Sequence, residues 1–419
     1  MHAETVSTDS QGLRRAAWLA VALLAPVALL NYLDRQMLAA MKMSMMTDIP
    51  DIGSRENWGF MLGSFKWVYA FLSPIGGYIA DRYSRRLVII ASLFVWSAVT
   101  WSTGYVTTYD GLVATRALMG ISEAFYIPAA LALITDFHRG STRSRAVGIH
   151  QMGIYAGIVL GGFAGHVADQ PNLGWRFAFQ TCGVVGILYS LPLFWLLRDP
   201  PQSPASQKRH PTSLFRAWAE LVKNRGYLLL VIYFTLPALA GWVVKDWMPD
   251  ILRERFNLNQ GKAGVYAVIP VQLASLIGVG IGGWMADLWM RRSERGRIFV
   301  SAIGMILFLP ALFGVGLSER LGFAVGFLIL YGIGWGFFDC NNMPILSQIV
   351  RPELRATGYG FMNLVSISCG GFADWGFGLL RDQHVSLAVI FGIFAGIALF
   401  SVAIVLMIHP RPDLAPKDS

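Results

Sequence analysis

The chain has 419 residues, 55% of them hydrophobic and 14% charged, with a net charge of +9 and a mean hydropathy of +0.51. Soluble domains carry about 25% charged residues, so a soluble enzyme, a disordered chain and a disulfide scaffold are excluded. Apolar runs recur to the end of the chain, which excludes a single-anchor protein. The surplus of Lys and Arg does not indicate nucleic-acid binding, because these residues fall in loops between apolar runs instead of along one solvated face.

Met1–Gln11 is polar, and no cleavage-site pattern follows the first apolar run, which therefore reads as a span and not a removable signal. In chain order the apolar runs are 17–41, 58–80, 87–106, 111–136, 146–168, 175–197, 227–251, 263–288, 298–317, 321–349, 356–379 and 385–408. A spanning helix needs about 20 apolar residues, and these runs are too long and continuous for alternating barrel strands. The expected fold is an all-α polytopic membrane protein with twelve transmembrane helices in two pseudo-symmetric six-helix bundles. The expected divisions are a tail over 1–16, a bundle over 17–197, a linker over 198–225, a second bundle over 226–408 and a tail over 409–419. The linker is marked by Pro200, Pro201, Pro204 and Pro211.

Placing the N-terminus in the cytoplasm puts 22 of the 34 Lys and Arg residues on the cytoplasmic side and eight on the other. Both termini are then cytoplasmic. The remaining four, Arg35, Lys66, Arg116 and Lys245, fall within or at the edge of spans. Cys182, Cys340 and Cys369 are scattered through apolar runs, with neither metal-site spacing nor a disulfide framework.

The halves echo each other. Ile75-Gly-Gly-Tyr-Ile-Ala-Asp81-Arg82-Tyr-Ser84-Arg85-Arg86 matches Ile281-Gly-Gly-Trp-Met-Ala-Asp287-Leu-Trp-Met-Arg291-Arg292, and Arg145-Ala-Val-Gly148 matches Arg355-Ala-Thr-Gly358. A duplicated six-span unit is a transporter architecture, with the solute site expected where the repeats meet.

Ionisable groups at membrane depth cost about 2.5–3.5 kcal/mol each on insertion scales, so they mark wet or paired positions. Arg35 is the first candidate for a substrate carboxylate, which a guanidinium grips with two parallel bonds. A structural ion pair with a neighbouring acid is the alternative. Asn31 lies one turn earlier on the same face. Arg116 and Glu123 are two turns apart on another helix, and Asp34 is a plausible cross-helix partner for Arg116. Asp34 and Glu123 are the proton-coupling candidates, since burial and a nearby arginine act on a carboxylate in opposite directions. A static bond near Ser122 or Tyr126 is the alternative for Glu123. Lys66 either adds positive charge to a cavity or snorkels outward. Tyr69 reaches the same face.

In the second half, Trp242, Lys245 and Asp246 share a face, and Lys245 and Asp246 either pair with each other or serve the solute. Asn341 and Asn342, beside Asp339, and Asn363, beside Asp374 and Trp375, form a candidate polar wall suited to hydroxylated solutes. His150 is equally readable as a gate or as a ligand contact. Asp81, Arg82, Arg85 and Asp287 are gating candidates, with Asp81 expected to pair with the opposite half. Gly153, Gly157, Gly161 and Gly165 repeat every four residues, the spacing of closely packed membrane helices. No metal or organic cofactor is expected. The expected partners are a small organic anion and the lipid bilayer, and the chain reads as a monomer in the inner or plasma membrane.

Gly77-x-x-x-Asp81-Arg82-x-Ser84-Arg85-Arg86 resembles the loop motif of the major facilitator superfamily, with Ser84 where glycine is usual, and Arg116-x-x-x-Gly120 resembles its fourth-helix motif. The resemblance covers essentially the whole chain. Asn31-Tyr32-x-Asp34-Arg35 and Arg116…Glu123-Ala124…Pro128 resemble the anion:cation symporter branch, which includes carriers of galactonate and hexuronates. That resemblance implies proton-coupled uptake of a sugar acid, with Asn31, Tyr32 and Arg35 near the solute and the acids at 34 and 123 moving protons. The spinster-like branch, which implies amphipathic lipids or drugs, shares a similar pattern and is the nearest rival. Gly157-Ile158-x-x-Gly161-Gly162 lacks the proline of many antiporters in the superfamily, which favours symport. No His-Glu-x-x-His pattern or nucleophile elbow supports an intramembrane enzyme.

Overall fold

The computed structural model describes residues 2–138, 142–199 and 214–411. Among them no strand occurs, and sixteen α-helices follow in order. The first half holds α1 (His2–Ala40), α2 (Lys42–Asp48), α3 (Arg55–Arg82), α4 (Arg85–Thr103), α5 (Tyr109–Glu123), α6 (Tyr126–Phe137), α7 (Arg143–Gly162), α8 (Ala164–Ala168) and α9 (Gly174–Leu196). The second holds α10 (Leu214–Lys223), α11 (Arg225–Phe256), α12 (Gln260–Met290), α13 (Gly296–Leu317), α14 (Leu321–Ile349), α15 (Arg355–Asp382) and α16 (Leu387–Leu406).

Ten helical stretches among the described residues are long and apolar enough to cross a membrane. The two that complete the expected twelve are α3 and α15, each of 28 residues. Their apolar runs are interrupted by Lys66, Asp374 and clusters of polar residues at their ends, yet at 1.5 Å per residue their length suffices.

Several helix starts follow from side-chain caps. Thr108, Asn224, Asn259 and Ser386 each accept a bond from a backbone N–H three residues on. Such a bond satisfies one of the first-turn donors that have no partner within the helix. Ser84, the departure from the loop motif, does the same for α4 by accepting from Leu87 N at 3.2 Å.

Three local features depart from the sequence reading. The fourth run is broken at Ala124–Phe125 into α5 and α6. Pro128 has no N–H with which to bond the Ala124 carbonyl, so the helical ladder loses a rung there. The fifth run is interrupted at Phe163 between α7 and α8. The expected linker ends in a helix, α10, which buries Ala217 and Leu221 and exposes Arg216, Glu220 and Lys223. The prolines of that linker, and the tail from 412 onward, lie outside the described residues.

The chain sorts into two compact units, Met1–Asp51 with Trp67–Arg209, and Ile52–Lys66 with His210–Ser419. The division therefore runs through α3, between Lys66 and Trp67, and not only through the linker. Within the first unit α1 packs on α7 and α4 packs on α5, α6 and α9. Within the second, α11 packs on α15 and α13 packs on α14 and α16. The same pairing scheme appears in each, which is the sequence repeat expressed as packing.

Glycine makes the closest approaches. A Cβ at Gly153 or Gly157 of α7 would strike the carbonyl of Ala25 or Leu29 of α1, and one at Gly161 would stand 2.6 Å from the Gln36 Cβ. Small residues allow membrane helices to approach until backbone touches backbone. Gly165, the fourth member of the stripe, falls in α8.

Candidate functional site

The first unit carries a buried ladder of charge. Asp34 and Arg35 are consecutive on α1, so their side chains leave the helix about 100° apart and meet different partners. Arg35 donates from Nε to Glu123 Oε2 at 2.7 Å, and its Nη2 lies 2.6 Å from the same oxygen. The rings of Tyr32 and Tyr69 each lie 4.9 Å from the guanidinium carbon, a cation–π cage. Asp34 accepts from Thr100 of α4 through Oδ2, and its Oδ1 stands 3.8 Å from Arg116 Nη1. Arg116 also reaches Thr103 Oγ1 at 3.5 Å and lies 5.5 Å from the Phe179 ring centre. Glu123 closes α5 at the break before α6.

Both guanidinium groups thus spend their charge on acids of the chain itself. The side chains of Arg35 and Arg116 are 10% and 3% exposed, and those of Asp34 and Glu123 are 1% and 0%. The cross-helix partnership of Asp34 with Arg116 is present. Arg35 adopts the ion-paired alternative, with Glu123 as the acid, and Glu123 is bonded to Arg35 instead of to the Ser122 or Tyr126 region. One oxygen of each acid, Asp34 Oδ1 and Glu123 Oε1, has no hydrogen-bond partner, and neither does either amide atom of Asn31.

A second cluster, not anticipated, lies in the second unit. Lys66 of α3 neither snorkels nor faces open space. It is 3% exposed, and its Nζ bonds Asp246 Oδ2 of α11 at 2.5 Å and Asp374 Oδ2 of α15. Trp242 lies beneath the ammonium at 4.3 Å, and Lys245 Nζ is 5.2 Å from the same ring. Asp246 is therefore the partner of Lys66. The signal available in the sequence was three charges at membrane depth, but no spacing rule connects residues this far apart in the chain.

The remaining predicted residues are dispersed. Asn341 is buried and donates to the carbonyl of Phe337 at 2.9 Å within its own helix. Asn342 is 2% exposed, with neither amide atom bonded. Asn363 is half-buried on α15, and Asp287 and Asp339 are exposed. His150 is buried against Tyr126, with its Nε2 2.9 Å from the hydroxyl. Arg85 bonds Asp136 and the Ala132 carbonyl of its own unit. Arg82 is exposed at the end of α3. The side chain of Asp81, and with it the expected latch, lies outside the described residues. Sequence reasoning missed Thr100 and Thr103, whose hydroxyls complete the ladder from α4, because buried threonines in apolar helices usually bond their own backbone.

Residues 24–374 match the family described as the Major Facilitator Superfamily. The chain is similar to Protein spinster of Drosophila melanogaster, with 28% identity over 369 residues, 85% of this chain and 60% of the fly protein. It thus spans less than two thirds of that relative. It is also similar to an MFS-type efflux pump of Mycolicibacterium smegmatis, with 27% identity over 388 residues covering 91% and 88% of the two chains. A crystal structure of a bacterial homolog to the human lysosomal transporter Spinster, inward-facing and unoccupied, superposes with a TM-score of 0.76 at 19% identity, covering 94% and 95%. The two spinster relatives fall in the branch set above as the rival, not among the anion:cation symporters.

Proposed function

The chain belongs to the major facilitator superfamily, and from that premise we propose that it is a spinster-like carrier moving an amphipathic lipid or drug-like solute, driven by protons. As a member of that superfamily it is a multi-pass membrane protein and a secondary transporter working by alternating access. The observation that carries the solute assignment is the pairing of Arg35 with Glu123 and of Arg116 with Asp34. A sugar-acid carrier needs a guanidinium with bonds to spare for the solute carboxylate. Here each cation already faces a carboxylate of the chain, Arg35 through a hydrogen bond to Glu123 and Arg116 across 3.8 Å from Asp34, and both are nearly excluded from solvent. The similarity to spinster proteins and to an efflux pump supports the same reading.

Asp34 and Glu123 are the proposed sites of proton exchange. Each has one buried oxygen without a hydrogen-bond partner, and a proton placed there cancels the charge that holds the facing arginine. Protonating Asp34 would weaken its hold on Arg116 and so the contact between α1 and α5. The cation distribution supports a cell-membrane protein with both termini in the cytoplasm.

The test is flux of labelled lysophosphatidylcholine into proteoliposomes under an imposed pH gradient. The expected result is flux that follows the gradient, resists excess glucuronate and falls at least tenfold in Asp34→Asn. Gradient-driven accumulation of glucuronate, with no movement of the lysolipid, overturns the assignment in favour of the sugar-acid reading.

A further inference from the structure

The geometry points to a seat for the headgroup of a membrane phospholipid that carries both a phosphate and a primary amine, in a groove at one end of the second unit. The groove offers about 580 Å³, within the range of sites that hold small ligands. Every residue lining it belongs to the second unit, from the end of α11, the end of α13 and the turn after it, the end of α15 and the start of α16. It shares no residue with the charge ladder of α1 and α5 or with the Lys66 cluster.

Four charged side chains line the groove, Glu254, Arg255, Glu319 and Arg381. Two of them serve each other. Arg381 Nη2 lies 3.4 Å from Glu254 Oε1, which Arg55 of α3 also reaches, at 3.0 Å. Arg381 Nη1 donates to the Val385 carbonyl at 3.0 Å. The other two are of opposite sign, and neither is spent on an ion pair among the described residues. Arg255 donates from Nη1 to the carbonyls of Val315 and Gly316 at 3.4 and 2.7 Å. These carbonyls close α13, where the last turn has no acceptor partners within the helix and a cation is favoured. The bonds hold the guanidinium in place without neutralising it, and they leave the donors of Nε and Nη2. A fixed guanidinium with donors in hand is phosphate-binding chemistry. Glu319, in the turn between α13 and α14, is exposed, and its carboxylate suits an ammonium.

The charge pattern selects among headgroups. Two acids beside the arginines disfavour a headgroup that brings only negative charge. No aromatic side chain lines the groove, so it lacks the cage that favours a quaternary ammonium. A primary ammonium needs no cage, because its N–H groups donate to a carboxylate.

Place in the membrane supplies the rest. Long helices end or begin here, so the groove lies where the chain leaves the apolar layer. One wall is apolar, with Leu317 61% exposed beside Leu387 and Ala388. That wall continues along α13 and α16. Phe313 packs at Gly392, where a Cβ would lie 3.5 Å from its ring, and Phe313, Val389 and Ile393 are all exposed. Of the ten spanning stretches, α16 is the most apolar. Acyl chains attached to the headgroup have this face to follow, and a free phosphoamine does not use it.

The inference goes beyond the transport reading and does not rest on it. The experiment is native mass spectrometry of the full chain released from mild detergent. The probes are dioleoyl phosphatidylethanolamine, phosphatidylglycerol and phosphatidylcholine at equal concentration, and phosphoethanolamine without acyl chains. Wild type is expected to retain one phosphatidylethanolamine at several-fold higher occupancy than either other lipid, and no phosphoethanolamine. Glu319→Gln, at an exposed turn position, is expected to lower that occupancy several-fold. Arg255→Gln, whose amide can still donate to a carbonyl at the end of α13, is expected to do the same. Equal occupancy by the three lipids in wild type, or phosphatidylethanolamine occupancy that Glu319→Gln leaves unchanged, overturns the proposal. Retention of phosphoethanolamine as strongly as the lipid overturns the assignment to a membrane lipid. Failure of lysophosphatidylcholine flux with phosphatidylethanolamine still retained overturns only the function proposed above.

Discussion

The fate of single charges separates what this chain's residues suggest in isolation from what they do together. Arg35 is the nineteenth residue of the first apolar run, where its cost alone marks it as purposeful, yet only the fold identifies its partner as Glu123, 88 residues on. Helix periodicity relates residues three, four or seven apart and is silent about residues that meet across helices. That is why Arg116 and Glu123 were legible as one face, while Lys66 with Asp246 and Asp374 was not. Removing one member of a buried pair strands the other, at a cost of about 3–5 kcal/mol, whereas replacing both by apolar groups of similar volume is close to neutral. Glu123→Gln is therefore expected to lower the thermal stability of the detergent-solubilised protein by several degrees, and Arg35→Met/Glu123→Leu to recover most of it. Equal losses in the single and double variants would show that the pair is not the source of the effect. Thr100→Val removes the hydroxyl that steadies Asp34 and should cost about 1–3 kcal/mol, read in the same melting experiment.

At the scale of helices the division between legible and hidden is one of length. Runs near 20 apolar residues announce themselves, and all twelve long helical stretches lie where those runs fall. Short elements do not: α2 and α10, of seven and ten residues, carry no spanning signal, and the break between α5 and α6 depends on one missing N–H at Pro128. Glycine spacing was informative because it reports a distance between backbones. Within α7 that gives a contrast in one helix. Gly157 has the carbonyl of Leu29 against it, whereas nothing lies within 4 Å of a Cβ at Gly148. Gly157→Leu is expected to push α1 from α7 and abolish the monodisperse peak in size-exclusion chromatography. Gly148→Ala should leave that peak intact and raise the melting temperature slightly, since alanine is favoured over glycine in a helix interior by about 1 kcal/mol. A Gly157→Leu protein that elutes and melts like wild type would remove the tight-packing argument.

For the whole molecule, the net charge of +9 is a statement about orientation before it is one about partners. The 22 cations assigned to one side and eight to the other follow from the resistance of short positively charged loops to crossing a membrane. The same helices, inverted, would satisfy every packing contact within each unit, so the fold alone does not choose a side, and the proposed orientation rests on the charge asymmetry. The half-buried native cysteines at 182, 340 and 369 can be replaced by alanine to give a background for single reporters. Lys223, at the end of α10, and Lys262, in the first turn of α12, are both exposed and fall on opposite sides of the membrane in this arrangement. In intact cells a membrane-impermeant maleimide is expected to label Lys262→Cys and to spare Lys223→Cys until the membrane is permeabilised. The reverse pattern would invert the protein.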